Sequence, residues 1–216
     1  MITVVINSCG RLDLLDRTME SFNKFNTFPI KETILVDDSG DPAIHEQLRQ
    51  KYSHFTLILE KHRGLIPCVD DAFSRVKTQY LFKIEEDWEF YRKGFIEKSM
   101  KILKAYSDIL LVWLRDRSDT NAHPVEDKLM EVNGAQFSLM SLNFRNEWHG
   151  FTFNPSLWRV EDYKRLEPFE NIAGEGNMGM QEMNIGYWYM KLGYRAVILK
   201  DGYVRHIGWG RRSYSV

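Results

Sequence analysis

Apolar positions in the first half of the chain switch repeatedly between two patterns. Ile2 to Ile6 is a continuous apolar run, the pattern of a strand buried on both faces. Leu15, Thr18, Met19, Phe22 and Phe25 then recur at helical spacing. Thr33 to Val36 is the next strand, closed by the turn-forming run Asp37-Asp38-Ser39-Gly40-Asp41-Pro42. Ile44, Leu48 and Tyr52 mark a second helix, Phe55 to Leu59 a third strand, and Val69, Ala72, Phe73 and Val76 a third helix. Tyr80 to Ile84 is a fourth strand running straight into Glu85-Glu86-Asp87. A helix with Ile96, Met100 and Leu103 follows, then the strand Ile109 to Leu114. Strands of this kind alternating with helices predict βαβ units, hence an α/β fold with a central, mostly parallel sheet flanked by helices.

The alternation stops near residue 115. From there to about residue 178, aromatic strand-like pieces mix with Gly, Asn and Pro, before a helix over Gln181 to Leu192 and a strand over Arg195 to Leu199. The 216 residues suit one large domain or two very small ones, and suffice for a core without disulfides. Hydrophobic residues at 44% and charged residues at 27% exclude a disordered chain. With 29 basic and 30 acidic side chains, there is no electrostatic footprint for nucleic acid or an anionic membrane.

Cys9 and Cys68 are too few for a disulfide framework and lack zinc spacing, so they are expected as buried free thiols in a reducing compartment. The longest apolar run, Ile109 to Leu114, is far short of the ~18 residues of a membrane span. The start of the chain lacks a basic segment with a cleavage site. The expected location is therefore cytoplasmic, in a bacterium or in a host cell if the source is viral. The high aromatic content, with six Trp, fits either a core or flat platforms for sugar rings, and composition leaves both open.

Chemistry is sought where open parallel sheets bind ligands, beyond the carboxyl ends of their strands. Asn7 and Arg11 follow the first strand, Asp37 and Asp38 the second, Lys61-His62-Arg63-Gly64 the third, and Glu85, Glu86 and Asp87 the fourth. One such loop is an ordinary turn. Four of them, carrying acids, bases and an Asn to one sheet edge, point to a site. Three adjacent carboxylates repel one another, and a hard divalent cation, Mg²⁺ or Mn²⁺, would offset that repulsion. Alternation puts Glu85 and Asp87 on one side of the chain and Glu86 on the other. Gly174-Glu175-Gly176-Asn177-Met178-Gly179 matches the dinucleotide-binding pattern G-x-G-x-x-G, but no good strand precedes it and too little chain follows. A loop that closes over a bound ligand accounts for those glycines better.

The chain resembles nucleotide-sugar-dependent glycosyltransferases of the GT-A fold, close to the large family-2 type. The resemblance rests on Val4-Val5-Ile6-Asn7-Ser8-Cys9-Gly10-Arg11, Ile34-Leu35-Val36-Asp37-Asp38-Ser39, Phe82-Lys83-Ile84-Glu85-Glu86-Asp87, Gln181-Glu182 with Gly193-Tyr194, and Val204-Arg205-His206-Ile207-Gly208. It implies one GT-A domain over residues 1–216, with a nucleotide-binding half at 1–114 and an acceptor and catalytic half at 115–216. The nucleotide sugar would be held by Asn7, Arg11, Asp37, Asp38, Arg63, Glu85, Glu86 and Arg211. Asp37 takes the uracil and ribose role by position. Asp87, with His206, would ligate Mn²⁺ or Mg²⁺.

By the same resemblance Glu182 is the general base, occupying the place of an Asp eleven residues before a Gly, here Gly193. Trp148 and Asn154 fall on the acceptor side, and Trp158 and Trp209 are further candidates to stack on a sugar. The implied activity is metal-dependent transfer, with inversion, from a UDP-sugar to a glycan, glycoconjugate or other hydroxyl acceptor.

Two rivals remain. A sugar-nucleotide pyrophosphorylase would carry a Gly-rich basic loop after the first strand, whereas Ser8-Cys9-Gly10-Arg11-Leu12 has a single Gly. A non-catalytic nucleotide-sugar or glycan-binding module would keep Asp37 and the aromatics without needing Glu182. The ending Arg211-Arg212-Ser213-Tyr214-Ser215-Val216, close behind the last motif, is what a domain excised from a longer chain would show.

Overall fold

The computed structural model of the protein describes residues 1–142 and 149–211. Its central sheet is built first. β1 (Ile2–Ser8), α1 (Leu12–Phe25), β2 (Ile30–Asp37), α2 (Pro42–Lys51), β3 (Thr56–Leu59), α3 (Leu65–Ser74) and β4 (Tyr80–Glu85) give parallel neighbours in the order β3-β2-β1-β4. Every residue of β1 is buried, which is why its sequence is a continuous apolar run and not an alternating one. Ile2, Val4 and Ile6 pack on the α1 side with Leu15, Met19 and Phe22, whereas Val5 packs on the α3 side with Val69, Ala72 and Phe73. α2 starts cleanly because Pro42 occupies its first turn and the Asp41 carboxylate accepts from the Ala43 amide at 2.8 Å.

The strand expected at Ile109 to Leu114 forms, as β6 (Ile109–Trp113), but lies outside the central sheet. After β5 (Trp88–Phe90) and α4 (Phe95–Ala105), β6 enters a second sheet with three later strands. These are β7 (Met130–Val132), β8 (Ala135–Leu139) and, further on, β10 (Arg195–Leu199), in the order β6-β10-β8-β7. The place beside β4 is taken by β9 (Ser156–Arg159), which pairs antiparallel through Phe82↔Leu157 and Lys83↔Ser156.

The remaining helices are α5 (Val160–Lys164), α6 (Glu170–Ala173) and α7 (Met178–Lys191). α7 packs Ile185 and Tyr189 against Phe151 and Phe169. Finally β11 (Val204–His206) pairs antiparallel with β5 through His206↔Trp88, Arg205↔Glu89 and Val204↔Phe90. Among the described residues no helix is long and apolar enough to cross a membrane.

Candidate active site

The loops after β1, β2, β3 and β4 meet, as the strand-end argument expects, at one edge of the central sheet. They form one wall of a cleft of about 1060 Å³. Its other walls come from Arg115 and Asn121, from Asn154, from residues 176–179 with Gln181, and from His206 to Arg211.

The acids at this edge divide into those that face the cleft and those that hold it together. Asp37 is fully buried, and its Oδ2 accepts from the Ser8 hydroxyl at 2.8 Å and the Gly10 amide at 3.0 Å. Its Oδ1 accepts from the Ser39 amide at 3.0 Å and lies 3.2 Å from His45 Nε2. Asp37 therefore ties the end of β1 to the end of β2 and does not line the cleft, which corrects its expected place against the nucleotide. Asp38 does line the cleft. It receives the main-chain amides of Arg63 at 2.6 Å and Gly64 at 2.7 Å. The Arg63 side chain departs from expectation too: its guanidinium bonds Asp71 at 2.7 Å on the exposed surface, because only its main chain reaches Asp38. Asn7 is 6% exposed, and neither polar atom of its side-chain amide has a hydrogen-bond partner among the described residues. A buried amide left unpaired is costly, and here it opens onto the cleft.

Each carboxylate of the triplet is paired with a basic side chain, Lys83 for Glu85 and Arg11 for both Glu86 and Asp87. Glu86 Oε1 meets Arg11 Nε at 2.6 Å, while Oε2 accepts from the Ser8 hydroxyl at 2.6 Å and the Cys9 amide at 2.9 Å. Burial raises the Glu86 carboxyl above its ordinary range, against the pull of Ser8 and Arg11. Asp87 Oδ2 receives Arg11 Nη2 at 2.8 Å and lies 3.2 Å from His206 Nε2. Burial alone would raise Asp87; His206 and Arg11 overcome it and hold the carboxyl below its usual value. Glu85 lies 3.1 Å from Lys83 Nζ through Oε1 and accepts from Trp88 Nε1 at 3.2 Å through Oε2. The protein's own cations thus relieve the repulsion that had seemed to require a metal. Arg11 spans Glu86 and Asp87, so the simple alternation of sides expected for the triplet does not hold.

His206 closes the far side of this group. Its ring packs against Trp88 and Trp209, and its Nδ1 is buried without a hydrogen-bond partner among the described residues. Gly208 follows, with no room for a side chain beside Asp87. Among the described residues no cluster of three or more His, Cys, Asp or Glu side chains is arranged to hold a metal. Asp87 and His206 nonetheless put one oxygen and one nitrogen donor side by side on the cleft wall. That fits a divalent cation whose remaining ligands are phosphate oxygens and water. Arg211 reaches the cleft mouth, where its guanidinium bonds Asp13 at 2.6 and 3.0 Å and its carbonyl accepts from Arg11 at 2.6 Å.

Glu182 lies in the first turns of α7, next to Gln181. The Asn177 side chain caps this helix, accepting from the Met180 amide at 3.1 Å. Gly186, one turn further along, lets α7 approach so closely that a β-carbon there would lie 2.8 Å from Phe151 Cβ. This approach sets Glu182 Oε1 against the Phe153 amide at 2.7 Å and the Thr152 hydroxyl at 3.0 Å. Glu182 is half-buried beside Gln181, which with Asn154 lines the cleft. Its pKa is pushed up to about 7, chiefly by burial and further by Glu85, while Phe153, Thr152 and Lys83 hold it down.

Of the aromatic candidates, Trp209 is 69% exposed at the cleft. Trp158 is fully buried against Phe73 and Phe151 and is a core residue, not a sugar platform. Trp148 and Arg212 lie outside the described residues. Lys83, Arg115 and Gly208 were not among the expected site residues. Arg115 is buried over the Trp88 ring at 5.3 Å. As the first polar residue after an apolar strand, it obeys the strand-end rule that picked out the others.

The sheet order, the acidic strand end and the cleft beyond the strand carboxyl ends define a GT-A fold. The family model for glycosyl transferase family 2 matches residues 3–166, and the chain belongs to that family. Among solved structures it is similar to the mannosyltransferase PcManGT from Pyrobaculum calidifontis in complex with GDP-Man and Mn²⁺. That match has a TM-score of 0.63 at 16% identity, covering 91% of this chain and 55% of the other. It is also similar to S. aureus TarS 1-349 in complex with UDP-GlcNAc, with a TM-score of 0.59 at 13% identity, covering 98% of this chain and 62% of the other. The chain thus spans little more than half of these proteins. No curated protein matches it.

Proposed function

We propose that the chain is a metal-dependent glycosyltransferase that moves a sugar from a UDP-sugar to a hydroxyl of a glycan or glycoconjugate, with inversion at the anomeric carbon. Residues 1–114 carry the nucleotide and residues 115–216 supply the acceptor side and the base. The observation that carries this reading is Glu182, a half-buried carboxylate beside Gln181 of the cleft wall, held through Oε1 by Thr152 and Phe153 and with a pKa near 7. A general base works best when its pKa lies near the working pH. Both of its hydrogen bonds fall on Oε1, which leaves Oε2 to take the acceptor proton.

In the reaction the acceptor oxygen forms its bond to C1 as the bond from C1 to the diphosphate oxygen breaks, and the hydroxyl proton passes to Glu182. UDP leaves with the electron pair of the broken bond. Asn7 offers an unpaired amide to the nucleotide, and Arg11 offers a guanidinium to the departing diphosphate. Asp87 and His206 would hold a divalent cation, Mn²⁺ or Mg²⁺, which would supply further charge neutralisation there. UDP is proposed from the strand-end motifs; of the similar structures, TarS is in complex with UDP-GlcNAc and PcManGT with GDP-Man. The free thiols of Cys9 and Cys68 support a reducing, cytoplasmic setting.

Replacing Glu182 with Gln tests the reading. Turnover should fall by about 10²–10⁴ while nucleotide affinity stays at the wild-type level. Undiminished turnover would refute the base assignment. Calorimetric titration with UDP and GDP, each with and without Mn²⁺, tests the donor. A preference for GDP, or binding indifferent to Mn²⁺, would overturn that part.

A further inference from the structure

Lys83 sits in the middle of β4, opposite Val5 of β1 and Ser156 of β9, and is fully buried. An ammonium in such a place is expensive unless paired, and an aliphatic residue would serve the sheet better. Its pairing explains why it is there. Nζ donates to the Phe153 carbonyl, lies 3.1 Å from Glu85 Oε1, and stands 5.2 Å over the Phe153 ring. The amide of the same Phe153 donates to Glu182 Oε1 at 2.7 Å. One residue of main chain thus joins the buried cation to the proposed base, while the cation also holds the first carboxylate of the acidic triplet. The connection bridges the two halves of the chain: Lys83 lies on β4 of the central sheet and Glu182 on α7.

We propose that Lys83 is a positioning residue, which fixes Glu182 relative to the acidic strand end by gripping Phe153 and Glu85 together. The inference rests on Glu182 being the base. The charges facing Glu182 are Lys83, which favours the ionised carboxylate, and Glu85, which opposes it; Asp87 and Glu85 face Lys83 in turn.

The test uses the full chain with Lys83→Met, and with Lys83→Gln where the first variant melts early. Three readouts are taken: turnover against pH, calorimetric affinity for UDP with Mn²⁺, and turnover of the double variant with Glu182→Gln. Loss of Lys83 should lower kcat by about 10–100-fold, since a misplaced reacting group costs up to about 10². UDP affinity should stay within about twofold, and the acid-side inflection of the pH profile should move upward. The double variant should be no slower than Glu182→Gln alone. An unshifted profile, or a double variant in which the two losses multiply, would overturn the positioning role. If Glu182→Gln alone turns over like the wild type, the base assignment falls first, and that result is visible without any Lys83 variant.

Discussion

A β-carbon at position 208 would lie 2.5 Å from Asp87 Oδ2 and 2.9 Å from Asp87 Cβ. Gly208 is thus the residue that allows the turn after β11 to fold down onto the end of the acidic triplet. Gly208→Ala should displace the Asp87 carboxylate from His206 while leaving both larger sheets intact. The expected result is at least a tenfold loss of Mn²⁺-dependent UDP affinity, read by calorimetry, with a melting temperature within a few degrees of the wild type. Wild-type affinity would show that the cleft tolerates movement of Asp87.

Asn7 predicts an exchange of stability against binding. Its unpaired amide costs roughly 1–3 kcal/mol when no ligand is bound. Asn7→Leu, of similar shape, should therefore raise urea-unfolding stability by about 1–2 kcal/mol and weaken UDP binding by about tenfold. A destabilised variant would mean that Asn7 holds the loop after β1.

The Glu182 carboxyl should set both an activity profile and a stability profile. With a pKa near 7, the ionised base is lost on acidification, so kcat should fall about tenfold per pH unit below 7. That limb should vanish in Glu182→Gln. For stability the sign is reversed. The folded protein binds this proton more tightly than the unfolded chain, whose carboxyl titrates at its ordinary value of 4.5. The contribution is fully present below about pH 4.5 and declines as pH rises through about 7. Glu182→Gln should then match the wild type near pH 4.5 and exceed it by roughly 1–3 kcal/mol at pH 8 in urea melts.

Gly186 sets two general effects against each other. In an exposed helix Gly→Ala gains up to about 1 kcal/mol. Here the added methyl would meet Phe151 Cβ at 2.8 Å, pushing α7 away from Thr152 and Phe153. The expectation is net destabilisation of about 1–3 kcal/mol with at least a tenfold fall in kcat. A more stable, fully active Gly186→Ala enzyme would show that α7 docking does not position the base.

Much of this architecture can be read from the chain. Ile2 to Ile6, Thr33 to Val36 and Tyr80 to Ile84 are mainly apolar without alternation because both of their faces are covered, and their carboxyl ends lead to the cleft. The run Ile109 to Leu114 looks the same, yet it pairs with β10 in the second sheet. A fully buried strand has the same composition whichever neighbours it finds. The β7–β8 hairpin carries its signal in Asn133-Gly134, both with positive φ (49° and 77°), which suits a two-residue turn. Three-residue β7 is too short to display a period. Asp37 and Arg63 show where position in sequence misleads: both lie at the right strand ends, but main-chain amides compete for one carboxylate and surface acids for the guanidinium. Glu182 was found from its place before Gly193, whereas its contact with Phe153 depends on how closely α7 docks. Lys83 stood in plain view, a charge inside an apolar strand.

The pairing of β11 with β5 sets Asp87 and His206 at the two ends of a single chain history. β5 is made early, directly after the last parallel strand of the central sheet. β11 follows every strand of both larger sheets in chain order. The two donor groups beside the diphosphate end of the cleft, Asp87 and His206, are thus brought together only by a pairing more than a hundred residues apart in the chain. Capture of the donor then depends on β11 finding β5, a contact that the order of the central sheet does not itself require.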